Sequence, residues 1–104
     1  MASTPEGAVK AKVKKLLDQY PHYRHMPVPV GYGAQTLDFL ICSLGLFIAV
    51  ETKAPGKKPT PRQEQCIREI TAAGGAVFIV SNDVELEHLK QFMDVLHAAN
   101  NRQP

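Results

Sequence analysis

From residue 9 to residue 20 the apolar positions are Val9, Val13, Leu16, Leu17 and Tyr20, the recurrence of one helical face, while Lys10, Lys12, Lys14 and Lys15 lie largely off it. Ahead of that stripe, Thr4, Pro5 and Glu6 supply a capping hydroxyl, a proline suited to the first helical position and an acid in the first turn. The pattern predicts a helix from about Thr4 to Gln19, which Pro21 helps to end. Residues 23–30, "YRHMPVPV", read as extended, because Pro27 and Pro29 push their predecessors out of the helical region and suit an edge strand. "GYGAQ" is a loop. "TLDFLIC" and "LFIAVETK" are apolar runs of strand length on either side of "SLG", the pattern of a tight hairpin. A second helix opens at Thr60-Pro61, buries Cys66, Ile67, Ile70 and Ala73, and closes at Gly74-Gly75. "AVFIV", residues 76–80, is apolar throughout, as in strands buried on both faces. A third helix, capped by Asp83, carries Leu86, Leu89, Phe92, Met93 and Leu96 as its core stripe, and the tail "NNRQP", residues 100–104, is expected to fray.

The order is α-β-β-β-α-β-α, a hairpin meander followed by a crossover that makes the last strand parallel to the strand carrying Glu51, and its neighbour. The fold class is α/β, a mixed sheet flanked by helices with an added C-terminal helix. At 104 residues the chain suits one domain, its core at about residues 4–99. The charge balance, Lys plus Arg 12 against Asp plus Glu 10, predicts no partner by itself. Its distribution says more: residues 1–62 carry nine basic and four acidic side chains, and residues 63–104 carry three and six, so one half is +5 and the other −3. A basic face is expected. Cys42 and Cys66 sit among apolar residues and no signal-peptide pattern opens the chain, which suggests a reducing, cytoplasmic setting with two buried thiols. No apolar stretch approaches the roughly 20 residues of a membrane span, so no membrane partner is expected, and no organic cofactor either.

The chemistry gathers at the hairpin. A turn on Leu44-Gly45 sets Asp38 opposite Glu51, with Cβ atoms about 5 Å apart. Like charges so placed oppose folding, and a divalent cation held by both is the simplest compensation. Lys53, two residues on, shares the face of Glu51. Glu6 falls on the apolar stripe of the first helix and Gln63 on that of the second, so both are expected to look toward the sheet. Each has a plainer alternative. Glu6 answers the helix dipole, Gln63 completes a capping box with Thr60, and Asp38 forms a structural ion pair with Lys53. The convergence of Glu6, Asp38, Glu51, Lys53 and Gln63 favours an active site. Lys57, Lys58 and Arg62 follow directly and suit contacts to a phosphate backbone; Lys10, Lys12, Lys14 and Lys15, with Lys10 and Lys14 foremost, form either a second strip or a solvated face. His22 and His25 read as an exposed turn rather than a metal pair. Tyr32 either contacts DNA or caps the core.

"LD" at 37–38 and "ETK" at 51–53, on a hairpin after a helix carrying Glu6, resemble the PD-(D/E)XK nuclease superfamily. "KAPGKKPTPRQ" resembles its VRR-NUC family, in which the motif lysine leads into a basic Pro-Gly loop and a helix bearing Gln. The resemblance covers nearly all of residues 4–81, with Leu37 standing where the superfamily name has Pro. It implies an αβββαβ core and a Mg²⁺- or Mn²⁺-dependent DNA endonuclease of the stand-alone kind that phages carry, acting in the bacterial host cytoplasm. Asp38, Glu51 and the Thr52 backbone carbonyl would hold the metal, with Glu6 binding through water or at a second ion. Lys53 would position or deprotonate the attacking water and Gln63 orient water or phosphate. Stand-alone members of that family are thought to work as homodimers, some on four-way junctions. The other readings of the chain are a non-catalytic DNA-binding module of the same fold, a non-specific nicking nuclease and a plain α/β interaction domain.

Overall fold

A computed structural model of the protein describes residues 4–28 and 36–101. Its elements follow the expected order: α1 (Pro5–Leu17), β1 (Tyr23–His25), β2 (Phe39–Ser43), β3 (Leu46–Thr52), α2 (Pro61–Ala72), β4 (Ala76–Val80) and α3 (Asp83–Asn101). The four strands form one sheet in the order β1-β2-β3-β4. The first two pairings are antiparallel, and β3 with β4 is parallel.

Local chemistry sets the boundaries. Thr4, with extended φ −71° and ψ 157°, accepts the Gly7 amide at 2.9 Å and caps α1. Leu44 (φ 52°) and Gly45 (φ 82°) both occupy the left-handed region, the type I′ geometry that joins twisted strands through two residues. That turn sets Ser43 against Leu46 and Phe39 against Val50, which is the expected register. At the far end of α2, Gly74 (φ 97°) lets its own amide reach Thr71 O at 3.1 Å and the Gly75 amide reach Ile70 O at 2.9 Å, a paired closure of the last turn.

Alternate residues of the sheet meet different neighbours. Phe39, Ile41, Ile48, Val50 and Val80 pack with Val13, Leu16 and Leu17 of α1 and Leu89 and Met93 of α3 into the buried core. Among the described elements α2 covers the opposite face, and there Leu40, Val77 and Ile79 are half-buried while Cys42 and Phe47 are exposed. At the Ser43 end, its hydroxyl meets Pro21 O at 2.7 Å and His97 Nε2 at 2.9 Å, tying β2 to α3.

Several expectations need correction. β4 is an edge strand, and Ala76 to Ile79 are half-buried rather than enclosed on both faces, because the sheet ends there and α2 covers it incompletely. Cys42 is exposed and Cys66 half-buried, so the thiols are not a buried pair. Ala73 is exposed at the tip of α2. α3 is capped by Asn82, whose Oδ1 accepts the Glu85 amide at 2.8 Å, while the Glu85 carboxylate accepts from the Ser81 amide and hydroxyl. Asp83 is the first helical residue and pairs with Lys12 on the surface. The helix extends through Asn101, the last described residue. β1 stops at His25, short of Pro27, which has no N–H for a ladder. The "GYGAQ" loop with Tyr32, and residues 29–30 and 102–104, lie outside the described residues. Among the described residues no helix is long and apolar enough to cross a membrane.

Candidate active site

β3 runs through the middle of the sheet and ends in Glu51, Thr52 and Lys53, with each neighbour supplying something different. Glu51 alternates with core-facing Val50, so its side chain enters the layer under α2, where it is 1 % exposed. A bare carboxylate there would be prohibitively costly, and three donors meet it. The Asp38 amide reaches Oε1 at 3.0 Å, the Gln63 side-chain amide reaches Oε2 at 2.7 Å, and the Lys53 ammonium stands 3.4 Å from Oε2. Burial pushes the Glu51 carboxyl up to about 7, and the nearby Asp38 charge adds to the rise against the opposing pull of Lys53 and the Asp38 amide.

Asp38 lies one residue beyond the last β2–β3 ladder pair, across from Glu51 as the register required. The two carboxylates do not stack on one face, however. Asp38 turns toward the core side, where its Oδ2 accepts from the Thr52 amide at 3.0 Å and the Thr52 hydroxyl at 2.5 Å. Its Oδ1 faces the Lys10 ammonium of α1 at 3.7 Å. Like-charge repulsion is thus reduced, though not removed, by sending each acid to a different helix and giving each its own lysine.

Gln63 satisfies both of its alternatives at once. Its Oε1 accepts the Thr60 amide at 3.0 Å while Thr60 Oγ1 accepts the Gln63 amide at 3.2 Å, and its Nε2 still donates to Glu51. The capping box therefore fixes the rotamer that clamps the acid. Asp38, Glu51, Lys53 and Gln63 are brought together as expected. Glu6 is not: its side chain is exposed and makes no hydrogen bond or ion pair with a described residue. Burial grows along α1 from half-buried Val9 to Val13, Leu16 and Leu17, so the first turn projects past the sheet and leaves Glu6 at the helix dipole.

Two residues have roles beyond those the sequence suggests. Thr52, expected to offer its backbone carbonyl, acts through its amide and hydroxyl on Asp38, in the slot between the two motif residues. Lys10, expected in a second basic strip or a solvated face, faces Asp38; it stands three residues before Val13 and seven before Leu17, a spacing that puts it at the edge of the buried stripe. Lys14, Lys15, Lys57, Lys58 and Arg62 are exposed. Lys57 follows a turn in which its amide donates to Ala54 O at 3.0 Å over Pro55 and Gly56 (φ 83°), a type II geometry that only glycine adopts easily at that position. His22 binds Tyr20 O through Nδ1 at 2.7 Å and His25 is an exposed β1 residue. Among the apolar residues of "HMPVPV" and α3, Val28 and Val95 are exposed, whereas Met26 packs on the core.

The donor chemistry fits a hard divalent cation. Both acids offer oxygen, the ligand such an ion takes, and Asp38 Oδ1 accepts no hydrogen bond from a described residue. Among the described residues no cluster of three His, Cys, Asp or Glu side chains forms, so Asp38 and Glu51 are the side-chain donors at hand there. Compared with known proteins, the chain matches no family model and no curated sequence.

Proposed function

We propose that the protein is a metal-dependent DNA endonuclease of the PD-(D/E)XK type, closest in pattern to VRR-NUC nucleases. The observation that carries this reading is a fully buried glutamate held between a motif lysine and a helix-borne glutamine, with a second carboxylate bonded to the same strand end. Asp38 and Glu51, with the Thr52 carbonyl as a third oxygen, would hold one Mg²⁺ or Mn²⁺. When bound, that ion supplies charge neutralisation at a phosphoryl oxygen and favours ionisation of a nearby water. Lys53 keeps its ammonium beside Glu51, placed to steady an attacking water or the charge that develops on phosphate. Gln63 restricts Glu51 to one orientation. Thr52 does the same for Asp38, leaving Oδ1 outward.

Exposed Lys57, Lys58 and Arg62 adjoin the site on the α2 side and suit the backbone phosphates of a polymer. A cleft of about 380 Å³ between the N-terminal ends of α1 and α3 is lined by neither acid, so it is separate from the pair. Since one such site cuts one strand, we extend the proposal to a two-fold homodimer that nicks branched DNA such as a four-way junction symmetrically.

A second reading has its own support: no buried side-chain polar atom among the described residues lacks a partner, and both acids already face lysines. A polar clamp that only ties β2, β3 and α2 together would look the same. Cleavage of supercoiled plasmid and of a four-way junction, with Mg²⁺, Mn²⁺ or EDTA, separates the two. The proposal expects nicking with either metal and none in EDTA. Absence of cleavage with every metal leaves the clamp, and undiminished cleavage in EDTA removes the metal. Light scattering at micromolar concentration that gives the mass of one chain would remove the dimer.

A further inference from the structure

Asp38 presents two unequal oxygens. Oδ2 is fixed by the amide and hydroxyl of Thr52, whereas among the described residues Oδ1 accepts no hydrogen bond and faces the Lys10 ammonium, at 3.7 Å. That separation exceeds the roughly 2.7–3.2 Å of an N–H···O hydrogen bond, so the contact is Coulombic and can be given up without breaking one. The lysine stem starts from a well-anchored place: Val13, Leu16 and Leu17 of the same helix are buried in the core. Its head is free to leave, with 37 % of the side chain exposed against 16 % for Asp38. The other lysine of the site, Lys53, is 11 % exposed and lies against Glu51, so the two cations are divided one to each acid.

We propose that Lys10 is an internal counter-ion that takes the place of the divalent cation on Asp38 and must be displaced from Oδ1 when metal binds. This rests on the metal-binding reading above and names how that site is regulated. An ammonium near the outward oxygen of a metal-binding carboxylate lowers its affinity for a second cation, while in the metal-free protein it offsets the charge of the acid pair. Lys10 thus lets the apo-protein keep two close carboxylates, at the expense of metal affinity.

The test is calorimetric titration of the DNA-free protein with Mn²⁺ at fixed pH and ionic strength, comparing wild type, Lys10→Met, Lys10→Arg and Lys15→Met. Lys10→Met keeps the apolar stem and removes the charge. Lys15→Met makes the same change in net charge at an exposed position of the same helix. With one charge removed at this distance in a water-like surrounding, Lys10→Met is expected to bind Mn²⁺ about fivefold more tightly than wild type, which is about 1 kcal/mol. Lys15→Met and Lys10→Arg should stay near wild type. Equal affinity in Lys10→Met and Lys15→Met, or weaker binding in Lys10→Met, overturns the counter-ion while leaving the metal site standing. Binding by Lys10→Met alone supports it in stronger form. No Mn²⁺ uptake by any of the four proteins removes the metal site and the counter-ion together.

Discussion

The two faces of the sheet are built on opposite terms. On the α1/α3 face the buried groups are mostly hydrocarbon: Phe39, Ile41, Ile48, Val50 and Val80 meet Val13, Leu17, Leu89 and Met93, all at 0–1 % exposure, with Ser43 and Thr52 the buried polar residues at its ends. On the α2 face Leu40, Val77 and Ile79 are only half-covered, and the most enclosed side chains apart from Ala49 are a carboxylate and an amide, Glu51 and Gln63. A fold seeking only stability would have filled that second position with a residue like Val50. The difference says that one face supplies the folding free energy and the other spends part of it holding a charged group in place.

The largest test of this division is a pair of phenylalanines one face apart. Phe39→Ala, in the core, should cost about 3–5 kcal/mol in urea unfolding. Phe47→Ala, 43 % exposed on the α2 face, should cost under about 1 kcal/mol. Similar losses for both would erase the distinction between the faces.

Next comes pH. Burial pushes the Glu51 carboxyl up to about 7 from its ordinary 4.5, so between those values the folded protein holds a proton that the unfolded chain releases. Its contribution is therefore fully present below pH 4.5, lost as pH rises to about 7, and absent above. In EDTA the loss should approach about 3 kcal/mol, and Glu51→Gln should not show it. Parallel pH–stability curves for the two proteins would show that the buried acid carries no strain.

Both the hairpin and the helix start were legible in the sequence because each is governed by residues within a few positions. Leu44-Gly45 sets the register that brings Asp38 to Glu51, and Thr60 with Gln63 writes a capping box whose second use only the folded sheet reveals. What failed depended on coverage, a long-range property. "AVFIV" and Cys42 look enclosed as a pattern, but whether a helix is long enough to cover them is decided elsewhere in the chain. Glu6 shares the helical phase of Val9 and Val13, yet phase alone does not say where along its length the helix leaves the sheet. Lys10 has the same ambiguity with the opposite outcome.

A smaller effect probes the coupling of local and long-range structure. Gln63→Ala removes a cap partner and the closest donor to Glu51 together, and should cost about 2 kcal/mol at pH 8. The cost should shrink at pH 5, where Glu51 is protonated and the lost hydrogen bond was neutral; a pH-independent cost would assign Gln63 to the cap alone. Smallest of all, Leu44→Asn creates Asn-Gly at a turn that needs positive φ twice, and should raise stability by about 0.5–1 kcal/mol by thermal unfolding. A loss instead would mean that Leu44 contributes packing on the open side of the sheet.

If the proposed function holds, Glu51 is kept for chemistry against the interest of the fold, and the decisive measurement is the cleavage rate of Glu51→Gln with Mg²⁺ at pH 8. The substitution keeps shape and size, and the variant should melt at or above the wild-type temperature in EDTA. This well-folded variant should nick plasmid DNA slower than wild type by about a hundredfold or more. A Glu51→Gln protein that nicks at the wild-type rate would leave Glu51 no part in cleavage.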